Sequence, residues 1–475
     1  MPSYPEFAKR LAQRLGSVLP LSAYRGREFY QKASWLDESQ YWPAERMRRY
    51  QDERLEILVA HAYATVPYYR RLFDERGLKP ADVRTVADLT RLPFITKDQL
   101  RTSAEDLRST AVPDRDVVWK ATSGTTGRPV KVAVLKSLLP FDNDAFHWRQ
   151  FRWAGCGYED RRATLLASTL STANSSTRRL FSWDPRRRTL TLSTYDLHAD
   201  TARAMHAAMR RYRPRYLMAF PSSVERLVIL FKQHGLPAPP LQAVFLQSES
   251  VLPWQRELIV DYFGCSVFDW YATEERVVNA CDCPEHDGLH VVSEFGIVEF
   301  VRTAGMDDDQ VCEVVATPLH NLAMPLLRYR TGDMAVPVAE PCACGRTLPR
   351  MRIVGGRSRS YVVLNDGRLV SITVVDIPKA SAAVEQFQFE QDTPGQVTLR
   401  IVRKAGYSDR DERVVLDNLR EKFGDALGAR IEYVESIART ARGKLPLLVQ
   451  RLDLAAYDGV PDAARAHHRG GGDAE

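Results

Sequence analysis

No stretch of this 475-residue chain is apolar over the about 18 residues that cross a bilayer, and the opening MPSYPEFAKRLAQRLG is charged where a signal sequence would be apolar. Both absences predict a cytoplasmic protein with no membrane partner. Neither sign of charge dominates: 66 basic against 60 acidic side chains leave a formal +6. That is too even a balance to argue for nucleic acid, and it suits a small anionic ligand. The basic runs Arg186 to Arg188 and Arg210-Arg-Tyr-Arg-Pro-Arg215 read as solvated faces, with the phosphates of a second substrate as the alternative. Cysteine is scarce, at seven residues, and disulfides are not expected in that compartment.

What is present is an ordinary globular composition of a length for two to three domains. The most informative stretch is Lys120-Ala-Thr-Ser-Gly-Thr-Thr-Gly-Arg-Pro-Val-Lys131-Val132. Backbone amides of Thr122, Ser123, Gly124, Thr125, Thr126 and Gly127 can turn toward one anion, with the hydroxyls as further donors. The loop is not a P-loop, because Gly127 is followed by Arg128-Pro129, and it lacks the spaced glycines of a dinucleotide fold. Pro129 argues against a helix and the alternation around Lys131 against a coil, so the loop is predicted to join two antiparallel strands.

Apolar residues at helical spacing predict a helix from Pro43 to about Thr65, stopped at Val66-Pro67. Between about residues 160 and 270, strand-like runs (Thr164 to Ser168, Tyr216 to Phe220, Ala243 to Gln247) alternate with helical ones (Ser223 to Gln233, Pro253 to Phe263). That pattern predicts βαβ units and parallel sheet. Pro221-Ser222-Ser223 reads as a helix start with serine at the cap. Ser248 and Glu249 follow a strand end, where open α/β sheets hold ligands. Asn365-Asp366-Gly367 predicts a hairpin, Asp409 to Phe423 a helix and Arg430 to Val434 a strand.

Thr122-Ser-Gly-Thr-Thr-Gly-Arg-Pro-Val130 resembles the first signature of the adenylate-forming (ANL) superfamily. Trp270-Tyr-Ala-Thr-Glu-Glu275 resembles its Tyr-Gly-x-Thr-Glu, Tyr329-Arg-Thr-Gly-Asp333 matches its third signature, and Met351-Arg-Ile-Val-Gly-Gly-Arg357 resembles its hinge. Gly443-Lys444-Leu445 resembles its last lysine loop, and the lead-in Val66 to Arg101 is similar to that of the phenylacetate-CoA ligase and CapK-like branch. Two departures stand out. Ala272 and Glu274 replace the glycine and threonine of the second signature, and Arg359-Ser360 stands where the family has an acidic swivel residue.

The resemblance implies an α/β fold, with a large N-terminal domain of mixed sheets and flanking helices over 1–355 and a helical lead-in over 1–110. A small mobile α+β lid would span 356–460, followed by a disordered tail over 461–475. It implies ATP-dependent activation of a carboxylic acid as acyl-AMP, with release of pyrophosphate and transfer to CoA or another acceptor. An amine, a carrier protein, an oxyanion such as nitrite, a homodimer and an inactive nucleotide-binding relative all stay open. The implied roles are Thr122 to Gly127, with Lys131, for the phosphates; Ser248, Glu249 and Thr273 near ATP; and Tyr271 for the base. Glu275 would hold Mg2+, Asp333 the ribose, Arg357 the nucleotide and Lys444 the reacting oxygens. The aromatics Phe141, Phe146, Trp148, Phe151 and Trp270 favour a flat or apolar acid.

Two C-x-C pairs, Cys281/Cys283 and Cys342/Cys344, with His286 and His290 nearby, suit a closed, structural Zn2+ site. Resemblance to relatives that carry such a site implies Cys283, His290, Cys342 and Cys344 as ligands, with Cys281 or His286 as substitutes.

Overall fold

A computed structural model of the chain describes residues 22–121, 130–138, 145–157, 159–166, 180–194, 197, 199–302, 310–354, 361–365, 367, 369–372, 377–381, 383–438 and 446–452. The hydroxyl loop 122–127, Phe141, Arg357, Arg359, Lys444 and the tail 461–475 lie outside them.

The lead-in is helical: α1 (Ser22–Ser39), α2 (Ala44–Thr65), α3 (Pro67–Glu75) and the short α4 (Lys97–Thr102). In α2, Met47, Gln51, Leu55, Leu58, Val59 and Ala62 are buried along one face. Extended Val66 ends the helix and Pro67 starts α3 at once, since proline forbids α-geometry before it and tolerates the first helical position.

The predicted hairpin around the hydroxyl loop is present as β1 (Val117–Ala121) and β2 (Lys131–Leu135), paired antiparallel with Ala121 opposite Lys131. Next come α5 (Ala145–Trp153), β3 (Arg162–Leu165), β4 (Phe181–Asp184), β5 (Thr189–Leu192) and α6 (Ala199–Tyr212). They are followed by β6 (Tyr216–Ala219), α7 (Pro221–Gln233), β7 (Ala243–Gln247), α8 (Pro253–Phe263) and β8 (Ser266–Ala272). β5, β3, β6, β7 and β8 pair parallel in that order, as the βαβ alternation predicts. Six more strands extend the sheet beyond β8 in antiparallel fashion: β9 (Asn279–Cys281), β10 (Leu289–Val291), β11 (Gly296–Arg302), β12 (Cys312–Pro318), β13 (Tyr329–Val338) and β14 (Arg350–Ile353). Their order is β9, β10, β14, β13, β12, β11, completing a sheet of 12 strands.

The parallel block buries apolar residues on both faces, as such strands must. One face meets α6 and α7. The other meets α5, whose Phe146, Trp148 and Phe151 form a core with Phe245, Phe268 and Trp270. Under that core Arg149 and Glu294 form an ion pair at 2.7 Å, with side chains 1% and 0% exposed.

The remaining strands make a hairpin, β15 (Tyr361–Val363) with β16 (Leu369–Ser371), and a four-stranded sheet of β17 (Val384–Thr393), β18 (Gln396–Arg403), β19 (Gly428–Tyr433) and β20 (Leu448–Gln450). The one-turn helix α9 (Ile377–Ala380) and α10 (Asp409–Phe423) cover it. These elements share a core that takes in Leu252 from ahead of α8, and Glu385 pairs with Arg226 of α7.

One local expectation is corrected. The N-cap of α7 is Phe220 rather than a serine, with Pro221 in the first turn. Ser222 instead gives both its amide and its hydroxyl to Glu249, at 3.0 and 3.1 Å. A carboxylate from the loop after β7 therefore satisfies the helix start from outside, favoured by the positive end of the helix dipole.

Candidate active site

The site forms where side chains from the end of β8 and the turn after it meet those of β13. Between Val315↔Arg330 and Glu313↔Met334 the register advances by two residues on β12 and four on β13, so Thr331-Gly332-Asp333 bulges out of the ladder. Gly332 has φ +73°, a left-handed conformation that glycine adopts without steric cost. Thr331 stiffens the bulge, with its hydroxyl donating to Val314 O at 2.7 Å and accepting from the Asp333 amide at 3.0 Å. Beneath it Arg330 and the fully buried Glu313 pair at 2.5 Å, and Lys97 at the start of α4 donates to Thr331 O. Burial raises the Glu313 carboxyl above the usual carboxylate range, against the opposing pull of Arg330.

Two tyrosines cross-tie the segments. Tyr271 of β8 donates to Asp333 Oδ2 at 2.8 Å, and Tyr329 of β13 donates to Glu275 Oε1 at 2.8 Å. Each tyrosine thus orients the carboxylate of the opposite segment. Tyr329 is fully buried, and burial and then the Glu275 charge hold its phenol well above its ordinary range, so it stays a donor. Glu275 and Asp333 are each 6% exposed. Thr273 accepts the Val277 amide at 3.3 Å within the turn between β8 and β9, and Glu274 is half-buried.

Ser248, just past β7, holds φ +69°, an uncommon value for a residue with a side chain, and its neighbour Glu249 is committed to α7 as described. Lys131 is exposed at the first position of β2.

The cysteines separate into two environments. Cys283, His290, Cys342 and Cys344 present ligand atoms that all lie within 4.8 Å of one another. Cys283 Sγ and Cys342 Sγ are 3.7 Å apart, and Cys344 Sγ is 3.4 Å from His290 Nε2. A tetrahedral zinc with bonds of about 2.3 Å to sulfur has S···S edges of about 3.8 Å, so the donor set fits zinc in both kind and spacing. His290 Nδ1 donates to Leu348 O at 3.3 Å, and burial pushes the imidazole down to about 4, so the neutral ring turns its Nε2 lone pair to the sulfurs. The second pair sits in a knuckle closed by the Gly345 amide on Cys342 O at 3.0 Å, with Gly345 at φ +75°. The two substitutes lie elsewhere: Cys281 is packed in the core under α5, and His286 bonds Asp282 at 2.8 Å.

Sequence reasoning gave no role to Tyr329 or Lys97. Tyr329 stood inside a quoted motif, but its partner Glu275 lies far off in the sequence, and no local pattern encodes their meeting.

Known proteins resemble the chain at each level. Its fold matches that of 2-hydroxyisobutyryl-CoA ligase in the postadenylation state with TM-score 0.68, at 18% identity and over 88% of this chain and 92% of that one. The two chains therefore share one mixed α/β fold. A phenylacetate-coenzyme A ligase of Thermus thermophilus is 29% identical over 68% of this chain and 73% of its own length. That of Pseudomonas putida is 25% identical over 83% and 91%. Residues 362–451 match the CapK C-terminal domain family. The chain is thus similar in sequence to phenylacetate-coenzyme A ligases over most of its length and to the CapK C-terminal domain family near its end. Among the described residues no helix is long and apolar enough to cross a membrane.

Proposed function

We propose that the protein activates a carboxylic acid with ATP and passes the acyl group to CoA. A carboxylate oxygen attacks the α-phosphorus, the bond from that phosphorus to the bridging oxygen breaks, and pyrophosphate leaves with the electron pair. An acceptor thiol then displaces AMP. The observation that carries the reading is the reciprocal tie of Tyr271 to Asp333 and Tyr329 to Glu275, because it fixes two carboxylates with different tasks side by side.

Asp333, projected by its bulge, can accept from both ribose hydroxyls. Tyr271 beside it offers a ring face to the base. Glu275 has one oxygen occupied by Tyr329, and its carboxylate would hold Mg2+, which would neutralise phosphate charge when bound. Thr122 to Gly127, with Lys131, would hold the β- and γ-phosphates. Ser248, Glu249, Thr273 and Arg357 would border the nucleotide, with Glu249 acting through the start of α7. Lys444 would meet the charge that grows on the reacting oxygens. Cys283, His290, Cys342 and Cys344 would hold one structural Zn2+, joining the segment after β9 to the one between β13 and β14. We assign the large and small domains to 1–355 and 356–460.

Acid-dependent pyrophosphate release tests the reading. Lys444→Ala should slow it by about a hundred- to a thousandfold while leaving ATP affinity within a few fold, because an ammonium that meets charge only in the transition state adds little to ground-state binding. Near-normal release in that variant would overturn the assignment. Arg359, in place of the acidic swivel, favours a second reading in which the acceptor is an amine or a carrier thiol. Comparing CoA with hydroxylamine as trap for the acyl group separates the two.

A further inference from the structure

We infer that the acid activated here is a flat ring bearing an oxygen that accepts hydrogen bonds, an inference that rests on the adenylation reading and specifies its substrate. Strand alternation in β8 sends Tyr271 to one face of the sheet and Trp270 to the other. On that second face Trp270, 4% exposed, stacks on His147 of α5 with ring centroids 4.0 Å apart and planes at 21°. The β8/β9 register sets Ala272 opposite Asn279 and Trp270 opposite Cys281. Asn279 therefore lies on the Trp270 face, one diagonal step from the indole.

Asn279 is 1% exposed, and its Nδ2 and the indole Nε1 of Trp270 are both buried without a hydrogen-bond partner. Native interiors rarely leave a polar atom unpaired, so two such donors on one face next to a ligand site call for an acceptor from outside the chain. Ala272, which faces Asn279 and adjoins Tyr271, is exposed and presents only a methyl group, so a ring can approach beside the nucleotide motifs. The stacked indole and imidazole offer it a planar wall. Because both unspent groups are donors, the matching substituent is a hydroxyl, ether or carbonyl oxygen rather than an ammonium. A bare phenyl ring would leave both donors unpaired.

The test uses non-hydrolysable acyl-sulfamoyladenosines made from phenylacetic and benzoic acids and from their ring-hydroxylated, methoxylated and oxo analogues at each position, titrated calorimetrically into the full-length protein. At least one oxygen-bearing analogue should bind about tenfold to a hundredfold tighter than its unsubstituted parent. Asn279→Leu and, as a variant that keeps the aromatic wall, Trp270→Phe should each shrink that preference. Binding of the panel with no member better than its parent overturns the inference and leaves adenylation standing, as does a preference untouched in both variants. Failure of every analogue to bind overturns the adenylation reading and this one with it.

Discussion

Removing one oxygen atom from Tyr329 offers the sharpest test of how the site is held. Its hydroxyl is fully buried and donates at 2.8 Å to Glu275, itself 6% exposed. In Tyr329→Phe that carboxylate oxygen would face the space the hydroxyl vacated, with water largely excluded. A hydrogen bond to a charged group contributes about 1.5–3 kcal/mol, and a buried acceptor left unpaired costs a comparable amount. The variant should therefore lose about 1.5–3 kcal/mol of unfolding free energy, measured from denaturant midpoints at constant m-value.

The same change frees Glu275 to turn, and under the proposed assignment of Mg2+ to Glu275 the loss of its orienting partner should weaken metal affinity about tenfold to a hundredfold. The Mg2+ concentration for half-maximal pyrophosphate release should rise accordingly, with the ATP requirement at saturating Mg2+ little changed. A double-mutant cycle isolates the contact: Tyr329→Phe with Glu275→Gln should show coupling above about 1 kcal/mol, whereas Tyr329→Phe with Asp333→Asn should be nearly additive. Coupling near zero in the first cycle, or an unaltered Mg2+ dependence, would refute the argument.

Tyr271→Phe is the companion case, and because Tyr271 orients Asp333 it should raise the ATP requirement rather than that for Mg2+. Protein purified without added metal should contain about one zinc per chain, and His290→Ala should lower that content and the melting temperature together. Zinc below about a tenth of an equivalent, with freely titratable thiols in the folded protein, would dismiss the metal. Burial, then the neighbouring Asp282 charge, pushes Asp269 up to about 7. The folded state therefore keeps a proton that the unfolded chain releases near pH 4, and stability should fall between about pH 4 and pH 7, by at most about 1.4 kcal/mol per pH unit. Asp269→Asn should flatten that fall, and an unchanged pH profile of denaturant midpoints would rule the effect out.

The sequence by itself determined what depends on neighbours along the chain. Burial spacing gave α2 almost to its ends, the alternation of runs gave the parallel strands β3, β6 and β7, and Pro253 to Phe263 is a helix as read. The signatures were legible for the same reason: each is a contiguous run of residues, read in order along the chain. The tertiary structure alone decided which distant groups meet. Nothing local distinguishes Cys281 from Cys283, yet β9 ends between them, so one is packed under α5 and the other reaches the knuckle. The serine at the start of α7 looked like a cap because that is what serine does alone, but a carboxylate from the loop after β7 took the place. Likewise, the crossing of Tyr271 and Tyr329 onto each other's partner carboxylates joins segments far apart in the sequence, and the shared face of Trp270 and Asn279 follows from strand register. Register is fixed by burying whole faces of the sheet at once, so no short stretch of sequence carries it.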